Sequence, residues 1–302
     1  MCLNITNLDI MKRVSILLIV AILTITSCEV NDISPTIDNL RLTRILNYSS
    51  TTSSNPYGTV EFEYDNQGNL IKESMFDHPN TLTTYKVYEY DGKRMIKKRV
   101  YDGQVGNLTL GTYISYSYTN NKLTKQELFL SNGTLKYTTY YEFDGDRLIN
   151  TYKVDDNLGI HHQSKYTFDN LNRLILEEIF MYNQELSEYT KYYYDNSNRI
   201  VKSEFYNGNG TITSYVEKIY DGSSKLPNEE LYFDRNGTQT QKRQLLYDSW
   251  GNLTEIIVNS QGTTCRLFRR KYKGELLTEE IKYHPNFGCT EWTVTRYEYQ
   301  TY

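Results

Sequence analysis

The sequence predicts an all-β protein of tandem antiparallel β-hairpin repeats, about 26 residues each, forming a long twisted sheet curled into an open shell or solenoid. Three observations predict it. An aromatic recurs at Tyr64, Tyr90, Tyr118, Phe143, Phe168, Tyr194, Tyr220, Tyr247, Tyr272 and Tyr299, with spacings of 25 to 28 residues, and a fixed period of this size marks a repeat architecture. The 302 residues include 30 tyrosines against 5 prolines, a bias towards pleated, half-buried strands. Asn132-Gly133, Asn207-Gly208, Asn209-Gly210 and Asn236-Gly237 punctuate the repeats, and such pairs accept the positive φ of hairpin turns.

Each repeat reads as strand, turn, strand, turn. In the first strand the position two before the recurrent aromatic is itself aromatic at Phe62, Tyr88, Tyr116, Tyr141, Tyr166, Tyr192 and Tyr297. A period of two puts both on one face, so neighbouring repeats are expected to form an aromatic ladder. Aspartate follows the recurrent aromatic in seven of the first nine copies, where its side chain can bond backbone N–H groups two residues on. Five or six residues after the aromatic comes an aliphatic, such as Leu70, Met95, Leu123 or Leu174, and six residues later an aromatic returns, as at Phe76, Tyr101, Phe129, Phe180 and Tyr206. Strict alternation puts that aliphatic and the returning aromatic on one face, and Ile71 with Met75, Ile96 with Val100 and Ile175 with Ile179 on the other. Apolar residues on both faces suggest a sheet that curls around a core. The array starts and ends with half units, Leu42 to Tyr48 and Tyr297 to Tyr299, which gives about twenty strands. Composition does not shift across residues 40–302, so these form one domain. A lone hairpin is marginal in water, so order must come from stacking on neighbours.

Residues 1–27 read as a signal peptide, with Met11 the better start. Lys12 and Arg13 precede an apolar run, Val14 to Ile25, too short to span a hydrocarbon core of about 30 Å. The following Ile25-Thr26-Ser27-Cys28 resembles a bacterial lipobox, which implies acylation (palmitate among the chains) of Cys28 and an outer-membrane lipoprotein, facing the periplasm or the cell surface. Two or more chains on one cysteine suffice for stable anchoring. Residues 28–39 then form a polar tether. Formal charge is −4, and near −5 once Asp9, Lys12 and Arg13 leave with the signal; this lacks the basic stripe that nucleic-acid binding needs.

The strings "YDNQGNL", "FDNLNRL", "YDNSNRI" and "YDSWGNL" resemble the YD repeats of the rearrangement-hotspot (RHS) family over about 260 residues. The resemblance implies hairpins wound into a β-shell, which in the largest members encloses a toxin. This sequence has no recognisable self-cleaving core domain or toxin tail and is too short to enclose a domain, so the cargo role is not carried over. Short hairpin repeats of the MORN type are the competing family.

No cofactor or metal is expected, and no catalytic constellation stands out. The histidines are His78, His161, His162 and His284, with no His-Glu-x-x-His or Gly-x-Ser-x-Gly. Asp155, Asp156, His161 and His162 flank one turn, but adjacent histidines on a strand point to opposite faces and do not share a metal. Cys265 and Cys289 are a candidate disulfide, with two free thiols the alternative. A simple meander puts one strand between them, about 10 Å, beyond the roughly 7 Å limit for a bridge, unless the loop "HPNFG" bends Cys289 back. Tyr85, Tyr113, Tyr140, Tyr189 and Tyr193 lie outside the ladder and are candidate ligand contacts, since exposed aromatics suit sugar rings or partner proteins. The expected function is therefore a non-enzymatic, lipid-anchored envelope protein that binds a glycan or protein through its repeat surface. A structural scaffold for a co-exported partner is the alternative, and an enzyme acting on envelope polysaccharide comes third.

Overall fold

The computed structural model describes residues 40–77, 80–104, 106–155, 159–182, 184–260, 262–285 and 288–301. The signal peptide, Cys28, the tether, His78 and Asp156 lie outside these. The described chain forms twenty strands: β1 (Leu40–Tyr48), β2 (Gly58–Tyr64), β3 (Leu70–Asp77), β4 (Thr81–Asp91), β5 (Arg94–Gln104), β6 (Asn107–Thr119), β7 (Lys122–Leu130), β8 (Leu135–Asp144), β9 (Arg147–Asp155), β10 (Gly159–Phe168), β11 (Leu174–Met181), β12 (Glu185–Tyr194), β13 (Ile200–Asn207), β14 (Ile212–Tyr220), β15 (Pro227–Asp234), β16 (Gln239–Tyr247), β17 (Leu253–Ser260), β18 (Thr263–Lys273), β19 (Leu276–His284) and β20 (Thr290–Thr301). Every strand pairs antiparallel with its sequence neighbour, and β1 also pairs with β20. The sheet is a closed twenty-stranded barrel. This corrects the open shell or solenoid expected from the repeats.

Bulges account for the curvature. Where β2 meets β3, Tyr64 pairs with Leu70 and Glu63 with Lys72, so Ile71 is the extra residue. Ile96 and Ile175 occupy the same place in later repeats. A second bulge falls beside each returning aromatic: Met75 pairs with Thr84 but Phe76 with Leu82, leaving Thr83 unpaired. Threonine hydroxyls at such bulges, Thr83, Thr213 and Thr240, donate to the carbonyls of Met75, Phe205 and Tyr232 across the strand pair. Each bulge bends its strand and increases local twist. Repeated twice per hairpin, they turn a flat meander into a ring.

The bulges also overturn the expected faces of the second strand. Leu70 shares a face with Tyr64, Met75 with Val60, and Phe76 with Thr59 on the opposite side. The aliphatic and the returning aromatic therefore lie on different faces. Ile71, Ile96 and Ile175 are bulge residues, not a second apolar face.

One face carries the ladder. Phe62, Tyr64, Tyr90 and Tyr118 pack against Leu70, Tyr88, Met95, Tyr116 and Leu123, so tyrosine and aliphatic alternate from strand to strand. Tyrosine hydroxyls staple many repeats to the one before: Tyr64 to the Leu42 carbonyl (2.8 Å), Tyr118 to Met95 (2.8 Å), Tyr194 to Leu174 (2.8 Å), Tyr220 to Ile200 (2.8 Å), Tyr247 to Pro227 (3.0 Å) and Tyr299 to Leu277 (2.9 Å). Burial pushes the Tyr220, Tyr247 and Tyr299 hydroxyls up to about 12, so they remain protonated donors.

The Tyr-Asp turns form one rim, here the aspartate rim. Asp195 accepts from the backbone N–H of Ser197 (2.8 Å) and Arg199 (2.9 Å), while Asn198 takes φ 61° in the left-handed region. The same place is held by Gly68 (φ 83°), which explains why the motif wants Gly or Asn there. The second oxygen of Asp195 holds Arg199 Nε at 2.7 Å. That guanidinium then lies 4.5 Å from the Tyr220 ring centroid and donates to the Gly222 and Ser224 carbonyls (2.8 Å each). Arg173 does the same one repeat earlier, over Tyr194 and onto Asn198. The Asp-x-x-Asn-Arg string is thus a turn cap joined to a clamp on the next repeat. Hydrogen bonds from its turn, the Arg199 backbone first, hold the Asp195 carboxyl below its ordinary 3.8.

A ring of about sixteen to eighteen strands already encloses more than side chains can fill. In this larger ring, the two buried clusters run along the wall, one through β2–β8 and one at β1, β19 and β20. Stability is lateral, from strand to strand.

Candidate functional site

The bulges that close the barrel also build its most ordered surface feature. The bulges flip the returning aromatics Tyr101, Phe129 and Tyr206 to the face opposite the ladder, where each meets an aromatic of the neighbouring strand. Tyr152 and Phe233 form like pairs on that face. Tyr85 stacks on Tyr101 (centroids 4.4 Å), Tyr113 on Phe129 (4.7 Å), Tyr140 on Tyr152 (4.9 Å), Tyr189 on Tyr206 (4.5 Å) and Tyr215 on Phe233 (4.5 Å). Interplanar angles run from 5° to 20°. Four of the five sequence-derived tyrosines thus fall into one stripe of offset-stacked pairs. Tyr215 and all five partner rings were missed. The signal was present, since Tyr85, Tyr113, Tyr189 and Tyr215 each stand five residues before the recurrent aromatic. Without the bulge, the returning aromatic was assigned to the wrong face.

The stripe is half-buried and threaded by lysines. Lys97 Nζ lies 5.1 Å from the Tyr113 centroid, Lys191 lies 5.1 Å from Tyr206, and Lys202 lies 4.4 Å from Tyr215, each within cation–π range. Tyr193, the fifth sequence-derived tyrosine, is 41 % exposed and donates to Glu204 (2.6 Å), which also accepts from Tyr206 (2.7 Å) and pairs with Lys202 (2.9 Å). Partial burial opposes ionisation of Glu204, but these three donors outweigh it and pull its carboxyl down to about 2. The stripe is therefore an aromatic platform with fixed charge at its edge. Neighbouring hairpins place its pairs two strands apart, about 10 Å, except across β10–β11, which carries no pair and separates Tyr140–Tyr152 from Tyr189–Tyr206 by about 20 Å. Shallow dents lie at the rims, one lined by Asp65, Asn69, Tyr90 and Gly92.

The ladder face holds a row of polar groups. Glu73 pairs with Lys86 (2.7 Å) and Glu280 with Arg270 (2.7 Å). Glu177, 8 % exposed, faces Tyr166 and Thr190 across the sheet and accepts from Tyr192 (3.0 Å). Burial pushes its carboxyl up, aided by the Glu188 charge. The folded state thus binds the Glu177 proton more tightly than the unfolded chain, whose value is 4.5. Its contribution to stability is full below 4.5 and is lost as pH rises through the raised folded value. Glu177→Gln is expected to raise the urea midpoint at pH 8 and leave it unchanged at pH 4. An equal shift at both values removes the assignment.

Charged side chains stand in mid-strand on both faces: Glu73, Lys86, Glu230 and Arg243 on the ladder face, Arg44, Glu61, Lys72 and Arg99 on the other. A lipid-facing barrel needs an apolar band roughly 25 Å tall. Neither face supplies one.

Among the described residues no group of three or more His, Cys, Asp or Glu is placed to hold a metal. His161 stacks on Tyr182 (6.2 Å) and His162 pairs with Lys153 and Met181 along the sheet, so Asp155 and the two histidines do not converge. His284 meets the Trp292 edge at 5.2 Å. Cys265 and Cys289 form a disulfide with Cα atoms 5.4 Å apart.

No protein-family model matches the chain, and no curated protein matches it. Among solved structures it is similar to the Tc holotoxin pore of Photorhabdus luminescens (13 % identity, TM-score 0.44), over 81 % of this chain and 15 % of that one. It is also similar to a porin-like protein from Bacteroides uniformis (9 % identity, TM-score 0.36), over 88 % of this chain and 99 % of that one. A TcdB2-TccC3 chain is matched at 11 % identity and TM-score 0.29, over 86 % of this chain and 21 % of that one. This chain thus spans a small part of the toxin chains.

Proposed function

We propose that this chain is a lipid-anchored protein of a bacterial envelope that binds an extended glycan along its aromatic stripe, without catalysing a reaction. The observation that carries the reading is the row of stacked pairs, Tyr85–Tyr101 through Tyr215–Phe233, on five of the six hairpins from β4 to β15 of the closed wall. Half-buried rings present a flat apolar face and a polar tip, which suits sugar rings. The lysines between them suit acidic groups on the polymer. The Cys28 lipobox supplies the envelope address, and the charged wall keeps the barrel itself out of the bilayer. The YD-like turns act as the means of building the wall.

Affinity electrophoresis through gels containing envelope polysaccharides tests the reading. Retardation is expected, and Tyr189→Ala or Tyr215→Ala should weaken it by roughly ten-fold, the scale of an aromatic hot spot. Absence of retardation across neutral and acidic polymers, or variants that migrate like the parent, would overturn it.

A further inference from the structure

The barrel has two unlike rims. β1 enters at the aspartate rim: Leu40 pairs with Thr301, and Tyr64 reaches the Leu42 carbonyl beside it. The twelve residues from Cys28 to Asn39 extend to at most about 40 Å, so an anchored Cys28 keeps this rim within that distance of the lipid.

The same rim carries an arc of exposed apolar side chains. Trp250 (71 % exposed) and Leu171 (65 %) sit at turn tips, Leu226 (41 %) lies just before β15, and Ile219 (40 %) stands one residue before the end of β14. Ile219, Leu226 and Trp250 occupy the adjacent β14–β15 and β16–β17 hairpins, about 10 Å apart, and Leu171 stands about 20 Å further along the rim, beyond the polar Asp195–Arg199 turn of β12–β13. Leu226 lies beside Gly251 of the Trp250 turn, so these two hairpins form one exposed apolar patch, and such a patch marks an interaction surface. Several acids of this rim are paired with cations, Asp144 with Arg147, Asp146 with Lys122, Asp169 with Arg173 and Asp195 with Arg199, while Asp65 and Asp248 are held by turn amides and by Asn69 and Asn252. The opposite rim carries Asp77, Asp102, Asp155 and Glu291 near its strand ends, beside the cations Lys136 and Arg235, and an anionic lipid surface repels those acids. β1 lies four strands from β17 and nine from β10 around the closed ring, so acyl chains and apolar arc would meet the membrane at separate points of one rim.

We propose that the aspartate rim is the membrane-facing end of the barrel, with Trp250, Leu226 and Leu171 seated in the lipid interface. The proposal rests on the lipoprotein reading of Cys28. The chain's two tryptophans lie at opposite rims, Trp250 at the aspartate rim and Trp292 near the start of β20, which makes each a reporter.

The test uses the full chain, purified from a lipoprotein-processing host and mixed with excess phosphatidylcholine–phosphatidylglycerol vesicles carrying brominated acyl chains. Trp292→Phe leaves Trp250 as the only emitter, and Trp250→Phe leaves Trp292. Trp250 is expected to shift to the blue and lose about half its emission, the response of a ring at the headgroup–acyl boundary, while Trp292 is unchanged. Equal quenching of both, or quenching of Trp292 alone, overturns the orientation. Mass spectrometry of Cys28 reads the anchor separately. An acylated chain with unquenched Trp250 removes the rim proposal and keeps the anchor. An unacylated chain with quenched Trp250 does the reverse, and one with neither overturns both.

Discussion

Replacing Ile281 with alanine is expected to lower stability by about 2–5 kcal/mol and to release the barrel at one place, the β1–β20 seam. Ile281 is 1 % exposed and Val294 0 %, and they cluster with Leu46 and Tyr48 where β19, β20 and β1 meet. The registers show why this site is sensitive. β1 pairs with β20 over eight positions, Leu40–Thr301 to Tyr48–Val294, but with β2 over only four. The first strand is thus held mainly by the last, across a sequence separation that makes the contact costly in chain entropy. The β1–β2 loop adds a latch, with the Thr51 hydroxyl donating to Glu291 at 2.8 Å. Opening the seam creates two unpaired edges at once. Urea unfolding measures the loss, and hydrogen exchange locates it: amides of β1 and β20 should lose protection before those of β7. Leu123→Ala, at a residue equally buried within the first cluster, supplies the control, with a similar midpoint change and no preference for the seam. Uniform exchange in both variants would show that the ring has no weakest joint there.

The repeat was legible because period and chemistry coincide. Tyr194, Asp195, Asn198 and Arg199 each have one geometric task, and a string that recurs every 25 to 28 residues exposes it. Closure was not legible in any one repeat, because it sums small bends over twenty strands. Yet the half units were a clue. A lone second strand at Leu42–Tyr48 and a lone first strand at Tyr297–Tyr299 are the two parts of one hairpin, and in the structure they pair. Face assignment failed at Ile71 and Thr83 for a different reason: a bulge changes parity, and alternation counted through it misplaces every side chain beyond. The stripe was half-seen for that reason, with Tyr85 and Tyr189 found but Tyr101 and Tyr206 assigned to the face of the second strand's aliphatic.

Breaking the Cys265–Cys289 disulfide is expected to destabilise the barrel by about 3.5 kcal/mol, the chain-entropy value for a loop of this length. The bridge spans 24 residues and joins β18 to the loop before β20. Strand spacing alone forbids it, since β19 lies between. The loop after His284 provides the exception: the Cys289 N–H returns to the His284 carbonyl (3.2 Å), with Cys289 at φ 59°, and the chain folds back over the end of β19. Cys265 itself is buried on the ladder face, opposite Val258. The bond therefore fixes where β20 begins, and β20 is the strand on which closure depends. Reduction should lower the urea midpoint and raise exchange at β20 and β1 together. The double variant Cys265→Ala/Cys289→Ala should match the reduced parent and be indifferent to reductant. Two alkylatable thiols in the protein as isolated, or an unchanged midpoint on reduction, would remove the bridge from the account of the seam. A matching loss of protection at both strands would instead tie closure of the ring to the oxidising chemistry of the envelope.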